Sequence, residues 1–293
     1  MTITNPSRRT LLLGLAGAGT LAATGCAQLP AFMPPQGMAI SATPLYGKFI
    51  WRDLLTEDPA LVKPFYAGLF GWQFEEGRAL DAPYTLVKSG GLYIAGISQT
   101  QRKIANQPVS QWLNFMSVAD VDRAAEATRS AGGSVLMGPL VLPRVGRGAV
   151  VLDPQGAPLG LLRTSFGDPA DAAEPVLNRF LWTELLASDP EAAVAFYSGL
   201  VGFESRRIED DGRPYWLLKA GRERAGVLKN PLTGVRPVWL VSVRVDDPAA
   251  SATRALQLGG RVLLAPRPDV RKGTLALVAD PGGAVLALQK WPV

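Results

Sequence analysis

The chain of 293 residues has no histidine and one cysteine, Cys26. Without histidine there is no Ser-His-Asp or Cys-His catalysis, and no zinc or iron site of the usual His/Glu kind. General acid–base work would fall to Asp, Glu, Lys or Tyr. A single cysteine excludes an intramolecular disulfide. Like charges do not cluster. There are 30 Lys and Arg against 25 Asp and Glu, with no run of five of one sign. A nucleic-acid footprint needs a basic stripe, so no nucleic-acid partner is expected. Charged residues make up 19% and hydrophobic ones 47%, which is a globular composition with ample core material.

What is present is a long internal repeat. Phe49, Trp51, Asp53, Asp58-Pro59, Phe65-Tyr66, Gly68-Leu69 and Gly71 return 131 residues later. The second copies are Phe180, Trp182, Glu184, Asp189-Pro190, Phe196-Tyr197, Gly199-Leu200 and Gly202. Tyr84 and Tyr215 keep the same offset. A weaker repeat at offset 127 matches Trp112 to Trp239, Arg144 to Arg271 and Asp153-Pro154 to Asp280-Pro281. A repeat of this length fixes the architecture before local propensities do.

Each copy opens with an apolar, aromatic strand. Asp58 or Asp189 then serves as N-cap, and Pro59 or Pro190 stands at the first helical position. Gly71 and Gly202 end the helices. Short strands follow, and then a second strand–helix–strands unit. Pro64, where the second copy has Ala195, predicts a kink or a late start in the first helix. The fold class is α+β, with four βαβββ modules in two tandem domains, 46–166 and 179–293. Residues 167–178 link them.

The N-terminus reads as an address. Ser7-Arg8-Arg9-Thr10-Leu11-Leu12-Leu13 resembles a twin-arginine export motif, followed by a short apolar stretch. Ala23-Thr24-Gly25-Cys26 resembles a bacterial lipobox, which makes Cys26 the lipidation site of a 1–26 signal. A secreted protein with a free thiol, or a retained anchor helix, are the alternatives. Residues 27–45, with Pro30, Pro34 and Pro35, form a tether. Fully extended it would reach roughly 65 Å at about 3.4 Å per residue. The implied location is the outer side of a bacterial membrane, periplasmic or cell-surface, held by lipid.

Both halves resemble the vicinal oxygen chelate superfamily of glyoxalases, bleomycin-resistance proteins and extradiol dioxygenases. The Asp-Pro, Phe-Tyr and Gly pattern and the two Asp-Pro-x-Gly turns carry the resemblance. It implies curled sheets with helices outside and a ligand cavity inside. In members with a metal, ligands stand at positions that here hold Trp51, Leu113 and Gly160, and Trp182, Leu240 and Ala287. None has a donor side chain, so no metal and no cofactor are expected.

Strand alternation puts Trp51 with Asp53, and Trp182 with Glu184, on one face. The acids then serve a ligand or act as a base, or they pair with an internal arginine or lysine. Tyr84, Tyr215, Trp112 and Trp239 are candidate pocket walls, with core packing as the alternative. Arg147 is a candidate contact for an anionic group, or a solvated surface residue. Arg144 and Arg271 read as exposed loop. The expected function is metal-independent binding of a small organic molecule, aromatic or apolar with one polar group. A metal-free or carboxylate-metal enzyme and an envelope interaction module are the competing readings.

Overall fold

The computed structural model describes residues 38–79, 82–100, 110–231 and 235–292. Arg8, Arg9, Cys26 and the tether up to residue 37 lie outside the described residues. Among the described residues, no helix is long and apolar enough to cross a membrane.

The first half runs β1 (Phe49–Thr56), α1 (Pro59–Phe70), β2 (Gln73–Ala79), β3 (Ala82–Ser89) and β4 (Leu92–Gln99). It continues with β5 (Gln111–Ser117), α2 (Val121–Ser130), β6 (Ser134–Leu142), β7 (Gly146–Leu152) and β8 (Pro158–Thr164). The second half repeats this as β9 (Phe180–Ala187), α3 (Pro190–Val201), β10 (Glu204–Asp210), β11 (Arg213–Ala220) and β12 (Arg222–Lys229). Then come β13 (Val238–Arg244), α4 (Pro248–Gln257), β14 (Arg261–Leu264), β15 (Leu275–Ala279) and β16 (Val285–Gln289). Each half forms its own eight-stranded, curled sheet. The orders are β2-β3-β4-β1-β5-β8-β7-β6 and β10-β11-β12-β9-β13-β16-β15-β14. Modules are therefore not exchanged between sheets. The fold is α+β, four βαβββ modules in two tandem units.

The helix signals act as the sequence implies. Asp58 accepts from the N–H of Ala60 and Leu61, and Asp189 from that of Ala192. Gly71 and Gly202 take the left-handed conformation at φ 69° and 76°. The late start expected from Pro64 does not occur, since α1 begins at Pro59 as α3 begins at Pro190. Pro64 and Ala60 are both exposed, so the carbonyl that the proline leaves free need not be buried.

The helix-bearing faces of the two sheets bury each other. α1 packs on α4, and α2 on α3. One shared core joins Phe65, Tyr66 and Trp72 to Val241, Val243 and Val278. A second joins Phe49, Met116 and Ala125 to Leu185, Tyr197 and Trp239. The opposite faces hold separate apolar clusters, one per half.

This arrangement decides between the two readings of one tryptophan pair in favour of core packing. Trp112 and Trp239 do not line the pockets. The antiparallel register sets Trp112 opposite Leu54 and Trp239 opposite Leu185, on the helix face, and only 4% and 1% of their surface is exposed. Trp112 Nε1 donates to the Tyr66 hydroxyl at 3.1 Å, and that hydroxyl donates across the interface to Asp280 Oδ2 at 2.9 Å. The mirrored set has Trp239 Nε1 on Tyr197 at 3.0 Å, and Tyr197 on Asp153 Oδ2 at 2.9 Å. Burial, then the neighbouring carboxylate, pushes both phenols well above their ordinary pKa.

The described end of the expected tether is fastened rather than free. Ile40 bridges Pro169, and Asp168 Oδ2 accepts from the Leu45 N–H at 2.6 Å and the Ser117 hydroxyl at 2.8 Å. Lys48 and Arg224 both reach Asp171, at 3.1 and 2.6 Å.

Candidate functional site

The face away from the helices carries the same trio in each half. On β1, Trp51 Nε1 donates to Asp53 Oδ1 and to the Tyr84 hydroxyl, both at 2.9 Å. Tyr84 in turn donates to Asp53 Oδ1 at 2.6 Å. On β9, Trp182 Nε1 donates to the Tyr215 hydroxyl at 2.9 Å, and Tyr215 to Glu184 Oε1 at 2.7 Å. The tyrosines cross from β3 and β11 over a glycine of the next strand. A Cβ at Gly96 or Gly226 would collide with the hydroxyl of Tyr84 or Tyr215. These glycines are required by close approach, since neither has positive φ. Trp51 with Asp53, and Trp182 with Glu184, thus share a face as the strand alternation implies, and Tyr84 and Tyr215 join them from the neighbouring strands.

The two copies differ in what answers the acid. Glu184 is ion-paired to Arg271, whose Nε also lies 3.3 Å from Asp210 Oδ2. Both partners of the Glu184 pair are buried, with side-chain exposures of 6% and 12%. Arg271 sits at φ 45° in the β14–β15 connection, and Asp211 accepts its backbone N–H. Burial alone would lower the Arg271 pKa. Glu184, then Tyr215 and Asp210, outweigh it and hold the guanidinium above its ordinary value. The matched Arg144 is exposed, also at positive φ, and among the described residues no cation lies against Asp53. Burial raises the Asp53 pKa, against the pull of the Tyr84 and Trp51 hydrogen bonds. Burial and the adjacent acid raise Tyr84 and Tyr215 well above the phenol range. Arg271 is the site residue that sequence reasoning missed. The signal for it is its match to Arg144 in the repeat, where an exposed loop accounts for both equally well from sequence.

Arg147 does not face a cavity. It pairs with Asp122 of α2 at the surface, with its Nη2 2.6 Å from Oδ1.

The two interiors differ in space. The second half holds a half-open cavity of about 110 Å³, walled by Leu186, Leu240, Leu275 and Leu277 with Glu184 and Arg271 at its polar end. In the first half, Phe115 stands where the second has Ser242, and its ring lies against Gly160 so closely that a Cβ there would overlap it. The space left beside Trp51, under Met38 and Phe166, is about 40 Å³, near the size of one or two waters. Among the described residues, no three His, Cys, Asp or Glu side chains gather as metal ligands. Trp51, Leu113 and Gly160, and Trp182, Leu240 and Ala287, offer no donor atoms. The residues at these positions therefore do not fit a metal ion.

Comparison with known proteins agrees with this architecture. Residues 182–288 match the family described as "Glyoxalase-like domain". The chain is 31% identical to "Putative glyoxylase CFP32" of Mycobacterium tuberculosis, over 82% of this chain and 93% of that protein. It is also 31% identical to "Anthracycline biosynthesis protein DnrV" of Streptomyces peucetius, over 80% and 90%. Among solved structures it resembles the Mn(II)-bound glyoxalase of Novosphingobium aromaticivorans, with TM-score 0.56, 18% identity, and 85% and 83% of the two chains covered. The 2,3-dioxygenase LapB of Pseudomonas sp. KL28 superposes with TM-score 0.55 at 12% identity, covering 85% and 93%.

Proposed function

The chain belongs to the glyoxalase-like family, and on that premise we propose that it is an exported, lipid-anchored protein whose second domain binds a small organic molecule without a metal. The observation that carries this reading is the contrast between the two interiors. One keeps an aliphatic cavity of about 110 Å³ with a buried ion pair at its end, and the other is plugged by Phe115. For scale, a dry cavity of about 150 Å³ admits a benzene ring. The ligand is accordingly a single ring or a short aliphatic body with one polar group. It lies against Leu240 and Leu277, with its polar group toward Glu184, Tyr215 and Arg271.

Metal independence rests on the donor chemistry of the six former ligand positions. Elemental analysis of the purified protein tests it, and a stoichiometric metal lost in Glu184→Ala would overturn it. Ligand binding is tested by a thermal-shift screen of small aromatic and aliphatic compounds. A ligand that binds only the folded state raises the melting temperature as its concentration passes Kd. No shift from any such compound would end this reading.

The anchor rests on Arg8, Arg9 and Cys26. The Cys26→Ala protein is expected in the soluble fraction of cells in which the parent sediments with membranes. An unchanged distribution would refute lipidation at Cys26.

The enzyme alternative draws support from the glyoxylase name of the CFP32 relative. In that case Glu184 and Tyr215 are the groups placed to move a proton. Turnover of a candidate substrate that is lost in Glu184→Gln would favour this alternative over simple binding.

A further inference from the structure

We propose that the second-domain cavity selects an amine: a small ring or short aliphatic body carrying a protonated primary or secondary amino group. The inference rests on the reading of that cavity as a ligand site, and adds which polar group it takes.

The selectivity follows from how hydrogen-bonding capacity is used up at the polar end. Arg271 has no charge left to offer. Its guanidinium is held by Glu184 and Asp210, with Gln289 Oε1 at 3.4 Å from Nη1. The Tyr215 hydroxyl already donates to Glu184 and accepts from Trp182. Glu184 is different. Both protein donors, Tyr215 and Arg271, go to its Oε1, and its Oε2 accepts no hydrogen bond among the described residues. Nor is Oε2 among the side-chain atoms sealed from solvent without a partner. It belongs to a residue that lines the cavity beside the aliphatic walls, and it is an acceptor left over there.

The charge around the cavity points the same way. Four carboxylates, of Glu184, Asp210, Asp211 and Asp269, face two guanidiniums, of Arg213 and Arg271. Arg267 neutralises Asp269 from outside, and a negative excess still remains. A cleft of one sign with low-dielectric walls concentrates ions of the other sign. A carboxylate ligand would enter against that field and find Arg271 already engaged. A purely apolar ligand would strip water from Glu184 Oε2 and give nothing back, which is unfavourable for a buried acceptor. An ammonium group supplies both the donor and the charge.

The test is a calorimetric titration of the full chain with benzylamine, benzyl alcohol and benzoate, which share a ring and differ in the polar group. Benzylamine is expected to bind at least about tenfold more tightly than benzyl alcohol, a gap of about 1.4 kcal/mol. Benzoate is expected to give no heat of binding, and added salt is expected to narrow the amine's advantage. Glu184→Gln should weaken benzylamine about tenfold and benzyl alcohol far less. Because that variant leaves Arg271 short of a partner, Asp269→Asn at the exposed rim provides the second reading. It is expected to weaken benzylamine by about two- to threefold and leave benzyl alcohol unchanged. If benzoate or benzyl alcohol binds as tightly as benzylamine, the amine assignment is wrong while the ligand site stands. If none of the three binds, both fall.

Discussion

Asp53 and Glu184 occupy the same place in the repeat and have opposite energetics. Glu184 is buried with a guanidinium against it, so removing its charge leaves Arg271 uncompensated. Glu184→Gln is expected to cost about 2–4 kcal/mol in urea unfolding, at the lower side of a fully buried pair because Asp210 still holds the arginine. Asp53 is partly buried with hydroxyl and indole donors, and its folded-state pKa lies above the unfolded value. A group raised in this way contributes stability that is fully present below the unfolded pKa, about 3.9, and is lost as pH rises through the folded pKa. Asp53→Asn keeps an oxygen for Tyr84 and Trp51 and removes that loss. The variant is expected to be as stable as the parent or more so at neutral pH, with the difference vanishing at low pH. A destabilisation of Asp53→Asn at pH 7 as large as that of Glu184→Gln would mean that Asp53 has a cationic partner after all. Arg144, exposed at the place matched to Arg271, is what separates the two acids.

At the scale of elements, the trio depends on strand register as much as on residue type. Tyr215 lies over Gly226 because a glycine leaves room for its hydroxyl to reach Glu184 from β11. Gly226→Ala inserts a methyl where the Tyr215 oxygen stands. It is expected to cost about 1–3 kcal/mol, as overpacking does, and to abolish ligand binding by turning the tyrosine away from Glu184. Retained binding with unchanged stability would show that the hydroxyl does not define the polar end.

Register also explains which parts of the site were legible in the sequence. The pairs Trp51–Asp53 and Trp182–Glu184 were readable because alternation within one strand needs no knowledge of its neighbours. Trp112 and Trp239 were not, because their facing depends on pairing with β1 and β9. That pairing sets Leu113 and Leu240, and not the tryptophans, beside the acids. Arg271 was missed because a loop arginine in a left-handed conformation can turn inward, and nothing in local composition reports it. The narrowing of the first cavity lies in Phe115 against Ser242, a difference between the copies that their likeness elsewhere does not predict. The helix caps and nearly all strands needed only local signals, and they stand where those signals put them.

On the scale of the whole molecule, the repeat is explained as much by the interface between halves as by the pockets. Tyr66 with Asp280, and Tyr197 with Asp153, tie each half's first helix to the other's Asp-Pro turn, and the two mixed cores are continuous across the boundary. Two halves that share their cores are expected to unfold together, so fluorescence and circular dichroism should report coincident transitions. Tyr66→Phe leaves Asp280 Oδ2 without its hydroxyl donor and should lower that single transition by about 1–3 kcal/mol. Separate transitions for the two halves would contradict the shared core.

Among the described residues, the second half keeps the larger open interior, facing away from the interface, and the central claim is that it is the ligand site. The direct measurement is the stoichiometry of calorimetric titration with the tightest ligand found, on the parent protein and on Leu277→Trp, whose added ring fills the second cavity while circular dichroism checks its fold. One ligand per chain is expected for the parent and none for Leu277→Trp. Two equivalent sites, or undiminished binding to the folded Leu277→Trp protein, would contradict it.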